Sequence, residues 1–113
     1  MEIKRLEAHQ PFQEERFTKK VLFQADGTIV FTLNFMPGQQ LPVHRHPGSQ
    51  VYVLVVQGGG TMIVDGVETE VRQGDCVRCG GEESFAFANT GQVPATLYVN
   101  LNNIPDERYA REI

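Results

Sequence analysis

The chain has 113 residues and a net charge of −4, with 41% hydrophobic and 21% charged residues. This length supports one hydrophobic core, and this composition excludes collagen-like, disordered and coiled-coil proteins. The acidic balance without a basic run argues against a nucleic-acid-binding surface, and the longest apolar run, residues 51–56, is far shorter than the roughly 20 residues that cross a bilayer.

Short strands joined by tight turns are predicted along nearly the whole chain. An apolar stretch around residues 21–23 leads through Asp26-Gly27, a two-residue hairpin signal, into an alternating strand at residues 28–35. The later segments share period-two alternation or an apolar run bounded by turn residues; they cover residues 50–57, 61–64, 67–72, 76–79, 84–89 and 95–101. A second Asp-Gly pair at residues 65–66 predicts another hairpin.

The pattern of elements predicts an all-β protein. About eight strands are separated by turn signals every 8 to 12 residues or so, which is typical of sandwiches and barrels. Only the last stretch, Pro105–Ile113, has a helical composition, and it is too short for a crossover between parallel strands. We therefore expect two antiparallel sheets around one core.

Two of the three histidines are candidates for a metal site. In a strand, His44 and His46 would face the same side with Cα atoms about 6.5–7 Å apart, so both rings can reach one cation at about 2.1 Å. Gln50 follows four residues later and offers an amide oxygen, a weaker ligand than a carboxylate. The spacing by itself fits a chance surface pair equally well.

The motif Gly38-x5-His44-x-His46-x3-Gln50-x7-Gly58 resembles the first signature of the cupin superfamily, commonly written G-x5-H-x-H-x3,4-E-x6-G. The resemblance covers roughly residues 28–101. It implies a single-domain antiparallel jelly-roll barrel, also called a double-stranded β-helix.

The implied domain occupies residues 1–113. Its barrel core covers about 17–101, preceded by an N-terminal arm, 1–16, and followed by a C-terminal tail, 102–113. Small cupins commonly pair through their N-terminal strands, so the resemblance also implies a homodimer in which residues 12–24 supply the pairing.

The second cupin signature, G-x5-P-x-G-x2-H-x3-N, is matched in length by the segment from Gly74 to Asn89. Phe85 occupies the position of the fourth metal ligand, a histidine in the family pattern. In the first signature, Gln50 stands at the glutamate position, and the spacing to Gly58 is one residue longer than usual. A β-bulge would absorb that extra residue, which leaves the inward face of the strand at 50–57 uncertain.

Two functions follow from the resemblance. In the first, His44, His46 and Gln50 hold a divalent metal (Mn, Fe, Ni or Zn) with water at the open positions, and the protein acts on a small molecule such as a sugar acid or an oxidisable metabolite. In the second, the protein is a non-enzymatic sensor or binding domain with a degenerate metal site. A polar, ionisable cavity favours the enzyme, whereas an interior filled by Phe85 favours the binding domain. No catalytic residue is assigned.

The cysteines are expected to be reduced, because the chain shows no secretion signal and we expect a cytoplasmic protein. Cys76 and Cys79 lie in a predicted strand, with Cα atoms about 10 Å apart on opposite faces, whereas a disulfide needs about 7 Å or less. We expect one buried and one partly exposed thiol. The alternative is that Cys79 replaces the missing fourth ligand as a thiolate.

Several other side chains are candidates for the interior or the site. Tyr52 could line the barrel interior, as could Phe31, although inward aromatic residues of a small barrel usually belong to its core. Glu82 and Glu83 are predicted in a loop near the barrel mouth, where burial of either would allow acid–base chemistry.

Overall fold

A computed structural model of the chain describes residues 1–104, so the predicted helical turn at Pro105–Ile113 lies outside the described residues. A short 3₁₀ helix, Leu6–His9, precedes nine strands. The strands are β1 (Thr18–Ala25), β2 (Thr28–Phe35), β3 (Gln40–His44), β4 (Gln50–Gln57), β5 (Gly59–Val64), β6 (Val67–Arg72), β7 (Cys76–Gly80), β8 (Phe85–Ala88) and β9 (Ala95–Asn102). Across this part of the chain no helix has the length and hydrophobicity needed to cross a membrane.

The strands form two antiparallel sheets, which confirms the predicted fold class. One sheet has the order β1-β2-β9-β4-β7 and the other the order β3-β8-β5-β6. Both Asp-Gly pairs make the predicted hairpins, with φ of 52° and 76° at Asp26-Gly27 and of 49° and 77° at Asp65-Gly66. Positive φ at both central residues is the type I′ conformation, whose twist matches that of the flanking strands.

The space between the sheets is filled at one end and open at the other. Strand β2 passes from one end to the other: Phe31 and Leu33 line a cavity, while Phe35 is fully buried. At the filled end the rings of Phe35 and Phe87 lie with their centroids 4.9 Å apart, and Phe17 stacks on Phe35 at 5.2 Å. The barrel therefore has a packed base and a hollow mouth.

A β-bulge in β4 sets which of its residues face inward. Strand β4 pairs with β9 in register up to Val55 opposite Leu97, and the register then shifts so that Gln57 lies opposite Thr96. The extra residue predicted from the long spacing to Gly58 is therefore a bulge. Before it, Val51 and alternate residues are buried, whereas Tyr52 is 43% exposed on the outer face. The prediction that Tyr52 lines the interior is wrong, because the inward-facing residues of β4 are Val51 and every second residue after it, which places Tyr52 on the outer face.

Asn89 ties several loops together at the packed end. Its side chain is 1% exposed, and its amide donates hydrogen bonds to the carbonyl oxygens of Phe35 and Val93, each at 3.0 Å. Its side-chain oxygen accepts the backbone N–H of Gly91 at 3.0 Å. The asparagine of the second signature thus satisfies main-chain groups of β2 and of the loop before β9.

The outer face of the five-stranded sheet carries a buried polar network. The side-chain amide of Asn34 donates to the hydroxyls of Thr18 and Thr32 at 3.3 and 3.1 Å. Its oxygen accepts the hydroxyl of Thr96 at 2.9 Å. All four side chains are at most 3% exposed, so their hydrogen bonds replace those to water.

The N-terminal arm covers this network and completes its hydrogen bonds. The Thr32 hydroxyl donates to the carbonyl oxygen of His9, and the Thr18 hydroxyl donates to that of Pro11. Arm and sheet therefore form one packed unit.

Candidate functional site

A cavity of about 420 Å³ lies between the two sheets at the open end of the barrel. Among residues 1–104, the wall is apolar except for three nitrogen-bearing side chains, Lys19, His44 and His46. The volume falls within the range of roughly 300–1,000 Å³ that small-molecule sites occupy. This cavity is the candidate site.

The two histidines meet at the cavity wall. His44 is the last residue of β3, and His46 lies in the loop that follows. Their ring centroids are 4.7 Å apart, with the planes nearly perpendicular at 84°. Nδ1 of His44 lies 2.7 Å from the carbonyl oxygen of Pro42, which can only accept, so Nδ1 carries a proton. In the neutral ring, Nε2 of His44 is then an acceptor.

A glycine in the neighbouring loop fixes the position of His46. The His46 N–H donates to the carbonyl oxygen of Gly81 at 3.2 Å, and the carbonyl oxygen of His46 accepts the N–H of Ser49 at 2.9 Å. A Cβ on Gly81 would overlap the carbonyl oxygens of both His46 and Ser49. Only glycine lets the two loops approach this closely.

The cavity disfavours positive charge on His46. Burial, together with the nearby charges of His44 and Lys19, lowers the pKa of His46 to about 4. Burial also lowers the pKa of Lys19, whose Nζ lies 4.4 Å above the centre of the Phe31 ring. Three basic groups therefore share one poorly solvated end of the cavity.

The structure does not bring Gln50 to the histidines. In β4 it is Val51 that lines the cavity, and successive residues of a strand point to opposite faces, so Gln50 faces away. The Gln50 amide oxygen is buried and accepts no hydrogen bond from residues 1–104. In β4 the residue that contributes to the cavity wall is therefore Val51, next to the predicted ligand Gln50.

Phe85 lies where the sequence placed it. It is directly opposite His44 in the pairing of β3 with β8, and its ring lies edge-on to the His44 ring at 5.4 Å. The position that the family resemblance assigns to the fourth ligand therefore holds an apolar ring, and the apolar side chain of Val51 also lines the cavity.

Residues 1–104 do not present a complete set of charged or imidazole ligands for a divalent metal. Within residues 1–104, no three His, Cys, Asp or Glu side chains are arranged to hold a cation. A cation between His44 and His46 would face apolar side chains and the ammonium of Lys19, and two neutral imidazoles fall short of the three or four protein ligands typical of such sites.

The cysteines and the loop glutamates lie outside the cavity lining. Cys76 is exposed and Cys79 buried, both as free thiols, as predicted. Burial, followed by the charge of Glu83, raises the pKa of the Cys79 thiol, which disfavours the thiolate needed for a metal ligand. Glu83 accepts the N–H of Gly80 at 2.8 Å, Glu82 is exposed, and neither is among the residues that line the cavity.

Lys19 is the site residue that the sequence prediction missed. Phe17, Lys19 and Val21 alternate along the start of β1; Phe17 and Lys19 line the cavity, and Val21 packs against the core. That alternation was a usable signal, although Lys20, a residue of the same type, lies on the opposite face of the strand.

Sequence and structure comparisons agree on the family. The sequence model described as Cupin domain matches residues 31–100. A structure from Thermus thermophilus is 26% identical with a TM-score of 0.87, and covers 93% of this chain and 100% of that one. Among curated proteins no sequence match is found.

Two further structures share the fold. An uncharacterised conserved protein with a double-stranded beta-helix domain, from Klebsiella pneumoniae, is 18% identical with a TM-score of 0.86, over 93% of this chain and 92% of that one. An RmlC-like cupin protein from Desulfovibrio desulfuricans is 20% identical with a TM-score of 0.79, over 92% and 98% of the two chains. The family match, which spans more than half of the sequence, and the two-sheet barrel together show that this chain belongs to the cupin superfamily.

Proposed function

We propose that this cupin binds a small, largely apolar organic molecule in the open end of its barrel, without a resident metal. The observation that carries the proposal is the cavity of about 420 Å³, whose wall, as far as residues 1–104 form it, is apolar apart from Lys19, His44 and His46. At about 30 Å³ per water molecule, this volume corresponds to about 14 waters, so a ligand of roughly 10 to 14 non-hydrogen atoms fits.

The expected affinity is moderate. At about 0.5 kcal/mol for each of about 12 non-hydrogen atoms, within the range for small ligands, binding would supply ~6 kcal/mol. That free energy corresponds to a dissociation constant of tens of micromolar.

The cavity lining favours the binding domain over the metal-dependent enzyme. The enzyme hypothesis needs a third ligand and a polar surface around the metal. Beside the two histidines the cavity is lined by the apolar side chains of Val51 and Phe85. The apolar wall instead suits a ligand held by burial of its apolar surface.

Ligand-observed NMR with neutral apolar compounds tests the proposal. Indole, cyclohexanol and benzamide are titrated against the wild type and against Val51→Phe, which places a ring inside the cavity. Val67→Phe adds the same ring at a position that is 65% exposed and serves as the matched control. We expect wild-type and control binding, and at least tenfold weaker binding to Val51→Phe. No binding to the wild type, or equal binding to Val51→Phe, would refute the proposal.

A further inference from the structure

We infer that the ligand is an aromatic molecule with one N–H or O–H donor, such as an indole or a phenol, and that this donor bonds to Nε2 of His44. The inference rests on the proposed function and names the class of ligand. It depends on the tautomer of His44 and on the apolar surface that faces this ring across the cavity.

Nε2 of His44 is a hydrogen-bond acceptor on the cavity side of its ring. Nδ1 donates its proton to the carbonyl oxygen of Pro42 at 2.7 Å, and in the neutral ring this leaves Nε2 with a lone pair. The ring lines the cavity, and Nε2 lies on its far side from Cβ, so the lone pair points away from β3. Within residues 1–104, the bond to Pro42 is the one hydrogen bond of this side chain.

The donor is assigned to His44 because the other two nitrogen-bearing side chains of the wall have interactions of their own. Lys19 and His46 each interact with further groups of the protein. The requirement for a donor therefore comes from His44, and it holds whatever charge Lys19 and His46 carry.

The aromatic body follows from what surrounds His44. Phe85 lies opposite His44 in the four-stranded sheet, with its ring edge-on at 5.4 Å. Across the cavity, the five-stranded sheet contributes the apolar side chains of Leu33, Val51 and Val99. A flat ring with a donor on its edge can meet Nε2 while its two faces are buried between the sheets. Indoles and phenols have this form.

The acceptor makes His44 a specificity residue. A ligand that covers Nε2 without supplying a donor separates the nitrogen from water and leaves it unsatisfied. A ligand that places an acceptor there brings two lone pairs together. Sites that hydrogen-bond a ligand N–H or O–H discriminate strongly against analogues of the same shape that lack it.

Isothermal titration calorimetry with indole and benzofuran tests this assignment. The two molecules have nearly the same shape, but indole has an N–H where benzofuran has a ring oxygen. They are titrated at pH 8, above the range in which histidine is ordinarily charged, into the wild type, His44→Phe and His9→Phe. His44→Phe keeps a ring and removes the acceptor, whereas His9→Phe makes the same substitution in the N-terminal arm, outside the cavity lining. We expect at least tenfold tighter binding of indole in the wild type and in His9→Phe, and a ratio of about one in His44→Phe.

Nitrogen NMR of the histidine side chains gives a second readout, which does not depend on how well His44→Phe folds. In the wild type, indole should shift the Nε2 resonance of His44 toward the position of a protonated nitrogen. Benzofuran at the same occupancy should not shift it in that direction.

Each outcome decides a separate point. Equal affinity of the wild type for indole and benzofuran would overturn the donor assignment and leave the proposed function standing. A preference for indole that persists in His44→Phe, or an Nε2 resonance that indole leaves in place, would overturn the role of His44. Binding of neither probe to the wild type would count against both proposals.

Discussion

Acidification should destabilise this protein through His46. The imidazole is half-buried at the cavity wall beside two other basic groups, and its pKa is lowered to about 4. In the unfolded chain, a histidine titrates near about 6.5. Between these two values the unfolded state binds more protons than the folded state, so the free energy of unfolding rises with pH across this window. The stabilisation that the neutral His46 side chain gives the folded state is complete above about pH 6.5 and is lost as the pH falls toward 4.

The size of the effect follows from the two pKa values. Proton linkage at one site with these values gives a loss of about 1.8 kcal/mol between pH 7 and pH 5. Because His46 is only partly buried, solvent screening reduces the expected loss to about 1 kcal/mol. With an m-value of about 1 to 1.5 kcal/mol/M, the midpoint of urea unfolding should fall by about 0.7 to 1 M.

Urea unfolding, followed by circular dichroism at pH 7 and pH 5, measures this loss. His46→Asn should lose about 1 kcal/mol less than the wild type over the same interval, because it lacks the group that takes up the proton. His9→Asn, in the N-terminal arm and outside the cavity, removes another imidazole and is the matched control variant. Identical losses in the wild type and in His46→Asn would refute the argument.

Three further predictions concern loops and ligands. Gly81→Ala should lower the free energy of unfolding by at least ~2 kcal/mol, because the new Cβ would overlap backbone atoms. Gly80→Ala is the control: its Cβ would meet only a side-chain oxygen at 3.6 Å, so the free energy of unfolding should change by less than about 0.5 kcal/mol. Similar urea midpoints for the two variants would contradict this prediction. The double variant Val51→Glu/Phe85→His should bind Zn²⁺ at least ~100-fold more tightly than the wild type, because it adds two metal donors beside the cavity histidines. Calorimetry measures the affinity. An unchanged affinity would refute the placement of residues 51 and 85 next to the two histidines. Asn89→Ala should cost about 3 kcal/mol in thermal or urea unfolding, for three lost hydrogen bonds; a cost below about 1 kcal/mol would show that water replaces them.

The fold was predictable because its signals are local. Asp26-Gly27 and Asp65-Gly66 specify two hairpins through backbone conformation alone, and alternation along residues 28–35 marks an inward face. The fixed spacing between the histidines and Gly58 then matched one known family. None of these signals requires knowledge of distant contacts.

The candidate site was harder to predict because it depends on one residue of register. The family pattern allows three or four residues between the second histidine and its glutamate, and these choices select Gln50 or Val51. A shift of one residue in a strand exchanges its two faces, so the choice converts an amide ligand into an apolar wall. Counted back from Gly58, the bulge decides whether Gln50 or Val51 faces inward. It lies between Val55 and Gln57, and the sequence alone does not give its position.

Lys19 illustrates a different difficulty. Lys19 and Lys20 are identical in type and adjacent in sequence, so their chemistry gives no indication of which one faces inward. In the sequence only the alternation of Lys19 with Phe17 and Val21 separates the two lysines, and the pairing of β1 with β2 agrees with it, because Lys19 lies opposite Leu33 and Lys20 opposite Thr32.

The hydrogen bonds between the N-terminal arm and the sheet bear on how this barrel can be recombined with its relatives. The family match starts at residue 31, within β2, so a chimera joined there would replace the arm but keep the Thr32 hydroxyl that bonds to it. A foreign arm without a carbonyl oxygen at the place of His9 would leave that hydroxyl buried without an acceptor. Exchange of N-terminal segments among cupins should therefore succeed when Thr18, Thr32 and Asn34 are transferred together with the arm that they hold.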